Sequence, residues 1–242
     1  MTHTSTAEQN NEIVKINSIQ EYLDVIEIFS KKIDFLKGGS LFRGMGNCKY
    51  ELLPKLYRKN DDEYNTDKYY WEESSILHHF IKKSQSFLAN PPNEEDYQKW
   101  ITIAQHYGAP TRILDWTESC LVALYFAVVD INYENDGVVW ALNSSRYKHW
   151  FMKNDTICAK TKFSENDREY YELDSKKNII SAFKSNDDYD YPFFYSPYFI
   201  DERIRAQQSV FMVWGNNKNA LEKIENTTIL TYSKESKEEY LN

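Results

Sequence analysis

The chain has 242 residues, enough for one large domain or two small ones, and for a core that needs no disulfide or metal staples. Apolar residues make up 41%, with 19 Tyr, 13 Phe and 6 Trp, which excludes wholesale disorder. A formal net charge of −8, from 37 acidic and 29 basic residues, excludes a broad phosphate-binding surface but leaves room for a few arginines around a small anion.

Residues 1–11 read as a disordered polar lead-in with no apolar segment of a signal peptide. Ser18 and Glu21 have capping-box spacing, and Tyr22, Ile26, Phe29 and Ile33 recur at helical intervals, predicting a helix from Ile19 to about Phe35. Residues 40–43 read as a short strand running into a glycine-bearing turn, Gly44-Met45-Gly46. A second helix is predicted over about Asp67 to Leu88, and a third after Asn93, read as its cap and closed by Gly108 and Pro110. Thr117 is placed to cap a fourth helix, Glu118 to Val129. That helix is apolar on nearly every face, which predicts the centre of the core. At nine residues its longest apolar run, Leu121 to Val129, is too short to cross a bilayer. Asp136-Gly137 signals a turn into a strand, Val138 to Leu142. Residues 153–190 are polar and read as irregular. A buried strand over 209–214, a short helix near Asn219 to Ile224 and a last strand, Thr227 to Tyr232, complete the chain. Helices first and strands later, without βαβ alternation, give an α+β fold: a mainly helical N-terminal half on a small mixed or antiparallel sheet, in one domain over 12–242. Three scattered cysteines, Cys48, Cys120 and Cys158, form no CxxC pair and fit a reducing cytoplasm.

Three clusters carry chemistry. In LFRGMG (41–46), glycine lets the backbone approach a ligand, and Arg43 offers a planar donor fork suited to phosphate or carboxylate. A plain surface arginine at a strand end is the alternative. No P-loop or dinucleotide glycine spacing is present. In AQHYGAPTRILDWTESC (104–120), His106, Tyr107, Thr111, Arg112, Asp115, Trp116 and Thr117 crowd a short stretch between apolar helices. Some must be buried and bonded to each other, either as ligand contacts or as an Arg112–Asp115 pair with Thr117 as a cap. In DERIRAQQSVF (201–211), Arg203, Arg205 and Gln207 share one face of an extended segment ahead of an apolar strand. No metal is expected, because His106 has no second ligand at metal spacing and the adjacent His78 and His79 point to different helix faces.

With LLPKLYR (52–58), these segments resemble the FRG domain of bacteria and phages, named for the triplet Phe42-Arg43-Gly44. The resemblance spans roughly 17–232, with Ser209 where the family usually has glycine. The layout is similar to that of ADP-ribosyltransferase-like domains, which implies Arg43 and Gln207 as catalytic positions. Gly44, His106, Tyr107, Thr111, Arg112, Asp115, Trp116 and Arg203 become implied ligand contacts. NAD is the implied substrate, with transfer to a protein or nucleic acid, or NAD hydrolysis, in a defence or toxin role. One mismatch stands out: the chemistry is served best by a carboxylate, and Gln207 is neutral, leaving Asp115 or Glu202 to supply charge. The alternative is a non-catalytic module that senses a nucleotide, a nucleic-acid end or a phage protein.

Overall fold

The computed structural model describes residues 12–31, 39–58, 66–94, 96–129, 135–144, 192–195, 206–214 and 227–232. Their elements are β1 (Glu12–Ile16), α1 (Ile19–Lys31), β2 (Ser40–Met45), a 3-10 turn (Lys55–Tyr57), α2 (Thr66–Ser84), a second 3-10 turn (Gln85–Phe87), α3 (Tyr97–His106), β3 (Ile113–Thr117), α4 (Cys120–Val128), β4 (Gly137–Asn143), β5 (Phe193–Tyr195), β6 (Ser209–Val213) and β7 (Thr227–Tyr232). The fold is α+β, as the order of patterns predicts. The lead-in, the polar stretch 153–190 and the expected helix near Asn219 lie outside the described residues. Among the described residues no helix is long and apolar enough to cross a membrane. The chain divides into two units, each built from separate segments: 1–50, 117–150 and 221–242 in one, 51–116 and 151–220 in the other.

In the first unit the strands run in the order β1-β7-β4-β2, with β1 parallel to β7 and the other pairs antiparallel. β1 escapes a local reading because only its parallel partner, more than 200 residues away, makes it a strand. α1 begins on a variant of the expected box: Ser18 Oγ accepts from the Glu21 N–H at 3.2 Å, while the Glu21 carboxylate takes the N–H of Asn17 at 2.8 Å. Tyr22, Ile26 and Phe29 of α1 join Ala123, Leu124, Ala127 and Val128 of α4 over Phe42, Val139 and Ala141 of the sheet. This cluster is the unit's core, and Phe29 meets Phe42 edge-on at 6.4 Å.

Two expectations for α4 are corrected. Its cap is Ser119, whose Oγ accepts from Val122 N–H at 3.4 Å, because Thr117 still belongs to β3 and accepts from Ser119 N–H instead. Nor is the helix buried all round. One stripe lies on the sheet, while Leu121 and Tyr125 stay 58% and 54% exposed. A helix resting on a single sheet face buries only the stripe that meets it.

The second unit holds both 3-10 turns, α2, α3, β3 up to Trp116, and β6 between β3 and β5. Its buried residues include Leu56, Tyr69, Leu77, Trp100, Ile101 and Trp214. α3 closes as Gly108 foretells. Gly108 takes φ +80°, its N–H reaches Gln105 O, and Ala109 N–H reaches back to Ala104 O, both at 2.9 Å. Asn93 is not the side-chain cap. Its carbonyl instead accepts from Asp96 N–H at 2.9 Å and from Trp100 Nε1 at 3.0 Å, anchoring the helix start through a buried indole.

Candidate functional site

Arg43 and Gly44 are neighbours in β2 and serve opposite faces. The strand does not turn at Gly44 but continues to Met45. An added Cβ on Gly44 would sit 1.8 Å from the Ala123 carbonyl oxygen and 2.9 Å from Ala127 N, both in α4. The expectation that Gly44 clears space for a ligand is therefore corrected: it clears space for the helix backbone. By the pleat, Arg43 leaves the other face with Leu41 and Met45. Those two are buried and Arg43 is partly exposed. Directly opposite Arg43 in β4 stands Trp140. Its indole Nε1 is buried with no hydrogen-bond partner among the described residues.

In the second unit the polar segment 104–116 is largely bonded to itself and to its neighbours. The Thr111 hydroxyl donates to Gln105 Oε1 and accepts from Ile113 N–H at 3.2 Å. Gln105 Nε2 donates to the exposed Asp115 carboxylate at 3.2–3.3 Å and to Ile113 O at 3.4 Å. The pair proposed between Arg112 and Asp115 does not form. Arg112 instead binds Glu73 of α2, through Nε to Oε2 at 2.6 Å and through its backbone N–H to Oε1 at 2.7 Å. Both side chains are buried, at 10% and 2% exposure. Burial draws the Arg112 pKa down, but the charge and hydrogen bond of Glu73, together with Tyr57 and Tyr97, hold the guanidinium above its ordinary value. Tyr57 lies beside the pair, its ring tilted 51° against Tyr69 with centroids 4.8 Å apart, and burial pushes its phenol up.

The LLPKLYR segment meets the same loop. Leu56 N–H donates to Thr111 O at 3.3 Å, Lys55 Nζ to Gly108 O at 2.8 Å, and Arg58 Nε to Leu53 O at 3.0 Å. Trp214 N–H, just past β6, donates to Arg112 O at 3.0 Å. Trp116 is buried, with its ring edge-on to Phe194 at 6.3 Å. His106 is half-buried and T-shaped to Tyr107, which stays 67% exposed. Gln207 is half-buried in the turn ahead of β6, followed by Gln208 at φ +46°. Arg203 and Glu202 lie outside the described residues.

Compared with known protein families, residues 39–136 match the model of the FRG domain. Over that stretch the chain is similar to the FRG domain. No curated protein and no solved structure matches it. The match covers β2 through α4 and the turn before β4. It is narrower than the resemblance read from the residues, and it leaves Gln207 outside. Within the matched stretch the second-unit motif residues Lys55, Arg58, Thr111 and Arg112 make bonds that hold turns and strands together. Arg43 is a cation in a strand whose apolar residues are buried. Glu73 was missed, although its signal is in the sequence. Tyr69, Glu73 and Leu77 fall four residues apart on one helix face, and all three are buried. A lone carboxylate in an apolar stripe asks for a buried cation. Trp140 had no such signal, since only strand register sets it opposite Arg43.

Proposed function

We propose that this protein binds NAD or a related nucleotide through Arg43, as the recognition step of ADP-ribosyl transfer or NAD hydrolysis in a bacterial or phage defence or toxin setting. The observation that carries the reading is the position of Arg43. A rigid guanidinium leaves a sheet face beside buried Leu41 and Met45, on a strand held against a helix by Gly44. A fork fixed on a rigid strand suits a diphosphate better than a mobile lysine would. The likeness in layout to ADP-ribosyltransferase-like domains, with an arginine on an early strand, points the same way but is an analogy of fold. Gln207 stands beside a left-handed Gln208, a costly backbone state of the kind that gathers at functional sites. The test is nicotinamide release from NAD by the purified chain. Release that Arg43→Ala abolishes supports the reading, and equal rates in both proteins oppose it.

A second reading, binding without turnover, is favoured by the neutral amide of Gln207. An amide can hold ribose hydroxyls but cannot offset the positive charge that develops as the glycosidic bond breaks. Stabilisation by NAD or ADP-ribose without nicotinamide release distinguishes it. Ligand at a hundred times its Kd adds about 2.7 kcal/mol.

A further inference from the structure

We infer that Trp140 belongs to the same binding site as Arg43 and donates its indole N–H to a phosphate oxygen of the bound nucleotide. This rests on the reading that Arg43 meets a nucleotide. Three observations carry it. Register places Trp140 directly opposite Arg43 across β2 and β4, and directly opposed residues project on the same side of a sheet, with Cβ atoms about 4.5–5.5 Å apart. The Trp140 Nε1 is buried and has no partner among the described residues. Buried polar groups are almost always bonded, so an orphaned donor on a side chain that is partly exposed is open to a bond from a ligand. Finally, Trp140 as a whole is partly exposed, so a ligand can reach its ring.

The contrast with Trp116 sharpens the choice. Its Nε1 is also without a partner among the described residues, but that side chain is enclosed in the core of its own unit, against Phe194. Trp140 stands directly opposite Arg43, a cation that attracts anions. An indole N–H donates only, and so does a guanidinium. A ligand that meets both must present acceptors to each, as the oxygens of a diphosphate do.

The experiment is a titration of the full chain, labelled with 15N at its tryptophan indoles, followed by NMR. The Trp140 resonance is assigned by its loss in Trp140→Phe, or in Trp140→Tyr should the first variant fail to fold. ADP-ribose and inorganic pyrophosphate are the two probes. The Trp140 indole resonance is expected to move with either probe and to stop moving in Arg43→Ala. Trp140→Phe keeps an aromatic ring and removes the donor, and it is expected to weaken ADP-ribose roughly tenfold to a hundredfold, the span for a hydrogen bond to a charged group. Binding of ADP-ribose by the wild type with a motionless Trp140 resonance and an unchanged Kd in Trp140→Phe overturns this inference and leaves the nucleotide reading standing. A shift with pyrophosphate but not with ADP-ribose supports Trp140 as an anion contact and overturns the nucleotide reading. No binding of either probe by the wild type overturns both.

Discussion

Arg43 and Gly44 show how one dipeptide divides its labour across a strand. The glycine is there for the helix, since any side chain meets the Ala123 carbonyl. Gly44→Ala is therefore expected to cost at least about 3 kcal/mol, the upper end of overpacking penalties, because the opposing atoms are backbone and cannot swing away. Urea unfolding measures this, and a change below about 1 kcal/mol would mean α4 is free to shift. The Glu73–Arg112 pair is a second residue-scale commitment. Breaking it with Glu73→Ala leaves a buried guanidinium uncompensated and is expected to cost about 3–5 kcal/mol. Replacing both partners by leucine should cost clearly less than the sum of the two single changes. Simple additivity would show that the two charges do not act as a pair. What was legible at this scale was the crowding of polar groups at 104–117 and the need to satisfy them. The partner of Arg112 was not, because it comes from a helix 39 residues earlier.

Elements were legible where their signals are local. The capping spacing at Ser18, the glycine stop at Gly108 and the apolar runs of β4, β6 and β7 all act over a few residues. β1 and β3 were missed for a shared reason: each is short and becomes a strand only through distant neighbours. β3 in particular mixes Ile113 and Leu114 with Asp115 and Thr117, which reads locally as a polar loop. α4 was legible as a helix but not in its exposure, because composition alone does not say how many faces are covered. This yields a paired expectation. Leu124→Ala, in the buried stripe, should cost about 2–5 kcal/mol, whereas Leu121→Ala on the exposed side should stay within about 0.5 kcal/mol. Equal costs by thermal or urea unfolding would refute the assigned orientation of the helix.

For the whole molecule, each unit holds a buried tyrosine that reports its integrity. Tyr22 in the first unit donates its hydroxyl to Cys120 O at 2.7 Å, and Tyr57 in the second packs its ring against Tyr69. Burial raises both phenols above the ordinary value of 10.0. A raised folded pKa gives stability that is complete below the unfolded pKa and lost as pH rises past it, since the unfolded chain releases a proton the folded chain keeps. Stability should thus fall above about pH 10, by up to about 1.4 kcal/mol per pH unit for each tyrosine. Denaturant midpoints across alkaline pH read this, and Tyr57→Phe should reduce the slope; a slope unaffected by that change would place the titration elsewhere. Function is a property of the same scale, because a bound nucleotide stabilises the fold that holds it. The most direct measurement is calorimetric titration of ADP-ribose into the full chain and into Arg43→Ala, with the unfolding temperature of both proteins recorded. Binding by the wild type, a loss of at least tenfold in affinity in the variant and an unchanged unfolding temperature are expected. Equal affinity in the two proteins, or no binding by the wild type, would contradict nucleotide recognition by Arg43.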